Sequence, residues 1–168
     1  DNPTQVLVGD ILPTGATWNF YGLADTAGNN PTFAPVTCDG GVVMLYPFLF
    51  IYGSDGFIAN NHVDAVFEDQ NLNDWNGPLA NRVNMAAGKI VKGIPVRGGT
   101  NSPFGLFWAT DSLIRVSFTG NATQYWKYDI ISSQISIMSS NAVVEMDGVY
   151  FWMGVDRFYM YNGSVQVL

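Results

Sequence analysis

An all-β chain built from propeller-like blades of antiparallel strands is what this sequence predicts, and three observations carry that expectation. The composition favours strands and turns: 14% of residues are aromatic and 18 are glycine, while long stretches with helical period are missing. Two-residue hairpin signals, Asp147-Gly148 and Asn162-Gly163, stand between apolar runs. Finally, residues 42–61 repeat without a gap in residues 143–162, with identities at Val42/Val143, Val43/Val144, Phe50/Phe151, Gly53/Gly154, Asp55/Asp156, Phe57/Phe158 and Asn61/Asn162. A weaker middle copy, "GLFWATDSLIRVSF", places Asp111 where the outer copies have Asp55 and Asp156. The three aspartates are 56 and 45 residues apart, close to the roughly 40 to 50 residues that a four-stranded propeller blade occupies.

The elements follow in order. The N-terminal third reads as irregular loop with a strand or two, "ATWNFYGLA" being the best of them. Asp39 and Gly40 turn the chain into the strand "GVVMLY", and "FLFIY" is an unbroken apolar run. So is "VYFWM" near the C-terminus. Such runs suit inner blade strands, which neighbours bury on both faces. Residues 67–93 are polar and read as an insertion or decorated loop, with a short helix over 78–88: Pro78 suits a first helical turn and Gly88 a stop. In the last copy "AVVEM" is a strand, Asp147 and Gly148 form the hairpin, and "VYFWMG" returns. Gly154 and Asp156 mark the next turn, "RFYMYNG" is the third strand and "SVQVL" the last. The whole, residues 1–168, is expected to be a single β domain and part of a larger propeller, since three or four blades' worth of sequence would barely close a ring.

Composition also bounds the function. Apolar residues reach 48% and charged ones only 12%, which excludes disorder. A formal charge of −7, with seven scattered bases, excludes a general grip on nucleic-acid phosphates, since that grip comes from clustered Lys and Arg. The longest apolar run, "VVMLYPFLFIY", is too short for a membrane helix and contains Pro47, so no membrane anchor is expected. One cysteine, Cys38, rules out an internal disulfide framework and reads as a buried thiol.

Asp55, Asp111 and Asp156 have the chemistry for glycoside hydrolysis, which needs two acids facing one another across a cleft. Recurrence at equivalent positions of separate blades favours turn residues instead, the side-chain oxygens accepting backbone N–H groups. Gly53, Gly154, Asp147 and Gly148 complete this set of structural turn residues. "DQNLNDW" imitates half a calcium loop through Asp69, Asn71 and Asn73, but Asp74 and Ala80 stand where Gly and Glu are needed. No metal or other cofactor is expected. His62 is the only histidine, there is no nucleophile elbow, and "RGG" at 97–99 lacks a phosphate-loop lysine. The sequons at Asn121 and Asn162 are what chance supplies in an Asn-rich chain. Of the five tryptophans, Trp108 and Trp152 sit in core strands, whereas Trp75, in the polar stretch, is a candidate interface residue. Arg157, present in only one copy, is another.

"KIVKGIPVRGGTNSPFGLFWATDSLIRVSF", "WKYDIIS" and "SSNAVVEMDGVYFWMGVDRFYMYNGSVQ" together resemble tail structural proteins of short-tailed bacteriophages, of the nozzle or packaged-DNA-stabilisation type. The resemblance covers about half the chain and rests on phrases such as "LFW..DSLIR" and "GVDRF.MYNG", not on a catalytic motif. It implies a non-enzymatic virion protein: a propeller-bearing subunit in a ring with copies of itself, beside adaptor and fibre proteins. Such a ring lines a DNA exit channel without binding the DNA specifically. Two alternatives stay open, a secreted carbohydrate-binding propeller that uses exposed aromatics and a glycosidase.

Overall fold

The computed structural model describes residues 39–62, 79–96, 104–121 and 124–168, together with the backbone of two further strands. Those two, β1 (Gln5–Val8) and β2 (Asn19–Gly22), pair antiparallel. The second falls inside "ATWNFYGLA". The remaining strands form three four-stranded antiparallel sheets in which neighbours in sequence are neighbours in space. The first comprises β3 (Gly41–Leu45), β4 (Phe48–Tyr52), β5 (Phe57–Asn60) and β6 (Asn81–Asn84). The second comprises β7 (Ile90–Pro95), β8 (Phe104–Ala109), β9 (Leu113–Asn121) and β10 (Gln124–Ser132). The third comprises β11 (Val143–Met146), β12 (Val149–Met153), β13 (Phe158–Tyr161) and β14 (Val165–Val167). The fold is thus all-β, with three repeated sheets of the kind the sequence repeat predicts.

The polar stretch is where expectation and structure part. No helix occupies 79–88: residues Asn81–Asn84 are β6 and pair with β5 from Phe57↔Asn84 to Asn60↔Asn81. The insertion therefore ends before residue 81, and by Ile90 the chain is already in the second sheet; residues 67–78 lie outside the described residues. The reason is that β5 is buried throughout, so its outward N–H and C=O groups need a strand partner. That requirement outweighs the weak helix preference of "PLANRVNMAAG". Only Val83 of β6 turns partly inward.

Packing is set by the two-residue period of the strands. Each sheet has a face directed towards the sheet that follows it, here termed leading, and an opposite trailing face. Leu45, Phe48, Phe50, Tyr52 and Ile58 of the first sheet form one buried cluster with Phe107, Ala109, Ile114, Val116 and Trp126 of the second. The alternate residues of the second sheet, Leu106, Trp108 and Leu113, form another with Tyr150, Trp152, Tyr159 and Tyr161 of the third. Ile135 and Ile137, from the link between these sheets, close it. Leading face meets trailing face both times. Edge-to-face aromatic contacts hold both layers, among them Phe50–Trp126 at 4.8 Å and 88°, Tyr52–Phe107 at 5.4 Å and 82°, and Trp108–Trp152 at 5.8 Å and 74°. Gly105 lets the first two sheets approach, since a Cβ there would stand 2.9 Å from Leu45.

Strand pairing also revises the repeat. Val43↔Phe50 and Val144↔Phe151 are equivalent pairs, so the gapless alignment holds as far as the second strand. Beyond the turn it slips. Tyr52 pairs with Ile58, whereas Trp108 pairs with Leu113 and Met153 with Phe158. The first turn is therefore one residue longer, and Ile58, not Phe57, is the counterpart of Phe158. The identities Phe57/Phe158 and Asn61/Asn162 are coincidences of sequence, with the two phenylalanines on opposite faces.

Candidate functional site

The aspartates singled out in the sequence do stand at one recurring place, the turn between the second and third strands of each sheet. Asp55 lies in a single 3-10 turn, Ser54–Gly56, and Asp111 and Asp156 lie in the shorter turns of the other two sheets. Each turn is closed by a backbone bond across it: Gly53 N–H to the Phe57 carbonyl at 3.4 Å, Ala109 N–H to Ser112 at 2.8 Å and Gly154 N–H to Arg157 at 2.8 Å. The aspartates themselves do not share the single capping role expected of them. Asp55 serves through its backbone, adopting φ 61° while its carbonyl accepts from Asn84 Nδ2 at 2.8 Å. Asp111 accepts from its neighbour Ser112 Oγ at 3.2 Å. Asp156 accepts from the guanidinium of Arg157, from Nε at 2.8 Å and from the terminal nitrogen at 2.5 Å.

What recurs is a hydrogen bond one residue earlier. The N–H groups of Ser54, Thr110 and Val155 occupy equivalent places, and each donates to the segment that leads into the first strand of its own sheet. The acceptors are Asp39 Oδ1 at 2.7 Å, the Lys89 carbonyl at 3.0 Å and Ser136 Oγ at 3.0 Å. Gly53 and Gly154 are small because this segment passes against them: a Cβ would stand 2.1 Å from Asp39 Oδ1 in one case and 2.6 Å from Ser136 Oγ in the other. In the first sheet the latch is charged. Asp39 also accepts from the Ser54 hydroxyl and pairs with Lys89 Nζ at 3.1 Å, tying the first sheet to the second. Burial alone would raise the Asp39 pKa, but the Ser54 hydroxyl and N–H and the Lys89 ammonium outweigh it, so the carboxyl lies at about 2.

Asp147 and Gly148 form the hairpin between β11 and β12 with φ 51° and 78°, the left-handed pair that a type I′ turn requires. The Gly148 N–H donates to Glu145 Oε1 at 2.8 Å. Arg157, expected at an interface, holds its own neighbour on an exposed corner. Hydrogen bonding by Arg157 lowers the Asp156 pKa, against the opposing effect of burial, and the pairing raises that of Arg157. A general acid at neutral pH needs the reverse shift. The shift on Asp156 is thus opposite to the one a general acid uses.

His62 has a structural task, its Nδ1 accepting the Leu79 N–H at 3.2 Å where the chain returns towards β6. Beside it lies a buried polar group that sequence reasoning missed. Asn61 Oδ1 accepts the Leu49 N–H at 2.8 Å while the Asn61 N–H reaches the Leu49 carbonyl at 3.1 Å, so the residue extends the β4–β5 ladder. Asn60 Nδ2 donates to the carbonyls of Asn61 and Leu79, and its Oδ1 accepts from Tyr128 of the second sheet at 3.3 Å. Burial pushes the Tyr128 pKa up, keeping the phenol neutral and a donor. The available signal was the consecutive asparagines ending an apolar strand.

Trp108, Trp126 and Trp152 are buried and offer no sugar-stacking surface. Trp18, Trp75, Cys38, Arg97 and the calcium-like residues Asp69, Asn71 and Asn73 lie outside the described residues. Among the described residues no group of three His, Cys, Asp or Glu side chains is placed to hold a metal, and no helix is long and apolar enough to cross a membrane.

One surface stands out. The leading face of the third sheet repeats, position for position, the faces buried between the other sheets, yet nothing among the described residues covers it. Val144, Met146, Met153 and Phe158 are 61, 62, 36 and 56% exposed, whereas Leu106, Trp108 and Leu113, the counterparts of Phe151, Met153 and Phe158, are 0% exposed. A pocket of about 330 Å³ opens there, lined by Val144, Phe151, Met153 and Phe158 with the chain around Ala142. Compared with known proteins, the chain matches no family model and no curated sequence.

Proposed function

We propose that this chain is a structural subunit of a virion, part of a propeller-bearing ring at the tail end of a short-tailed bacteriophage, beneath which the genome leaves. The observation that carries the reading is the uncovered leading face of the third sheet. A contiguous apolar surface of this kind marks a site of assembly, and here it is built to the same pattern as two internal interfaces. Of the phrases that resemble the tail proteins, "LFW..DSLIR" falls on the second strand, turn and third strand of the second sheet, and "GVDRF.MYNG" on the same turn, the third strand and the turn after it in the third sheet, which suits residues of architecture. Few charges and a net −7 suit a wall that DNA passes without being held.

Light scattering and negative-stain imaging of the purified protein, alone and with tail proteins, test this. A closed ring of copies is the expected result, with no shift of duplex DNA at physiological salt. A particle that stays monomeric and forms no ring with any tail component overturns the proposal. The sugar-binding alternative would need its exposed aromatics, of which Tyr46 and Phe158 are 67 and 56% exposed, whereas the described tryptophans are buried.

A further inference from the structure

The uncovered face of the third sheet fits a second copy of itself. We infer that two copies of this chain meet leading face to leading face, related by a twofold axis that lies in the interface at right angles to the strands. The inference rests on reading that face as a site of assembly and names what is assembled there. It does not continue the stack, in which leading faces meet trailing ones.

A head-to-tail contact between copies finds little surface to use. The trailing face of the first sheet is open only along β3, where Val42 and Met44 are 50 and 41% exposed; beside them Leu49, Ile51 and Ala59 are 8, 0 and 1% exposed. One open strand is about 5 Å wide, against about 19 Å for the four strands of the third sheet. A face of that width is matched by another sheet, since a single helix is only about 10–12 Å across.

Charge selects the copy. The chain carries a net −7, so two copies repel one another wherever charged surfaces meet. In a twofold interface each residue on the axis meets its own twin, and a charge there would meet its like. The strand positions of this face, from Val144 and Met146 through Phe151 and Met153 to Met160 and Gln166, include no ionisable side chain. An apolar centre depleted of charge is what homodimer interfaces share.

The two ends of the face fix the axis. One end carries Asp147, in the hairpin between β11 and β12; the other carries Arg157, in the turn between β12 and β13. With the axis across the strands the ends exchange, and Asp147 of each copy stands over the Arg157 end of the other. An axis along the strands would instead bring the two Asp147 ends together. The same exchange sets Met146, 62% exposed, over the pocket of about 330 Å³ that Phe151, Met153 and Phe158 line at the opposite end. An unbranched thioether side chain suits such a hollow. Val144, Phe151, Met160 and Gln166, in register across the sheet, lie along the axis.

The footprint, roughly 19 by 17 Å for four strands and five residue rows, is small for a permanent dimer. Sedimentation velocity over a concentration series should therefore show a dimer, lost on dilution, as the first species above the monomer. Val144, on the axis, is 61% exposed in the single chain, so Val144→Asp and Val144→Lys should each melt like the parent when dilute. Each alone should stay monomeric when concentrated. Mixed in equal amounts they should recover the dimer, because unlike charges then face one another. Met44→Asp, on the first sheet, should leave the dimer intact. In the parent chain, peroxide oxidation of Met146 and Met153, located by mass spectrometry, should slow several-fold as the dimer forms, while that of Met44 keeps its rate.

A parent chain that is monomeric at every concentration overturns the inference, as does a dimer that survives Val144→Asp. So does a mixture of the Asp and Lys variants that stays monomeric, or a dimer lost with Met44→Asp, which would seat the copies on the open strand of the first sheet. Should the Val144 variants fail to fold, the methionines decide: oxidation of Met146 and Met153 unchanged in the dimer overturns the inference. A ring formed by a chain that shows no such pairing leaves the tail reading standing and the twofold pair fallen; a pair that enters no ring does the reverse.

Discussion

Gly53 and Asp39 show how little room the turns leave. A methyl group on Gly53 would enter the space of the Asp39 carboxylate and of the Gly40 N–H, 2.1 and 2.9 Å away. Gly53→Ala should therefore destabilise the protein by about 1–3 kcal/mol, the usual cost of overpacking a closed site, as read from denaturant unfolding. Asp39 adds a pH dependence whose sign follows from its shift. Its folded-state pKa, about 2, lies below the ordinary 3.8, so the carboxylate contributes stability that is whole above the ordinary value. That contribution is lost as pH falls through about 2. Asp39→Asn should flatten this acid limb in a melting-temperature profile. These roles were half legible: the repeated Gly and Asp marked the turn correctly, but the acid that works as an acceptor across it is Asp39, which carries no repeat signal.

The strands were the readable part at the scale of the element, because apolar runs bounded by Asp-Gly or Asn-Gly have few other ways to fold. Two features were hidden for definite reasons. Residues 81–84 contain a single apolar side chain, so nothing local announces β6; it exists because β5 needs a partner. The extra residue in the first turn was masked by the accidental identities that follow it, and only the pairing of Tyr52 with Ile58 reveals it. Asn61 belongs to this scale too, since it lengthens a ladder with a side-chain amide. Asn61→Ala leaves the buried Leu49 N–H without its acceptor and should cost about 1–3 kcal/mol. Hydrogen exchange at Leu49 should accelerate well beyond that at Ile51.

The three sheets behave as one stack with a closed core and an open end. Trp108 lies in the middle sheet at 0% exposure, and Trp108→Ala should cost about 3–5 kcal/mol through the cavity left behind. Phe158→Asp, a harsher change on paper, should shift the stability of the isolated chain by no more than about 0.5 kcal/mol, because the side chain meets solvent there. Thermal unfolding of the two variants side by side checks the contrast. Sequence alone reads "VYFWM" as buried on both faces, which the repeat demands and the structure fulfils on one only. Whether a neighbour is present is a property of the stack, not of the strand. The latch common to the three sheets has a last consequence for drift. Its donor is always a main-chain N–H, while its acceptor is by turns a carboxylate, a carbonyl and a hydroxyl. The latch itself makes no demand on the side chains of Ser54, Thr110 and Val155, although Ser54 adds its hydroxyl to Asp39, and proline is the residue that all three positions must refuse.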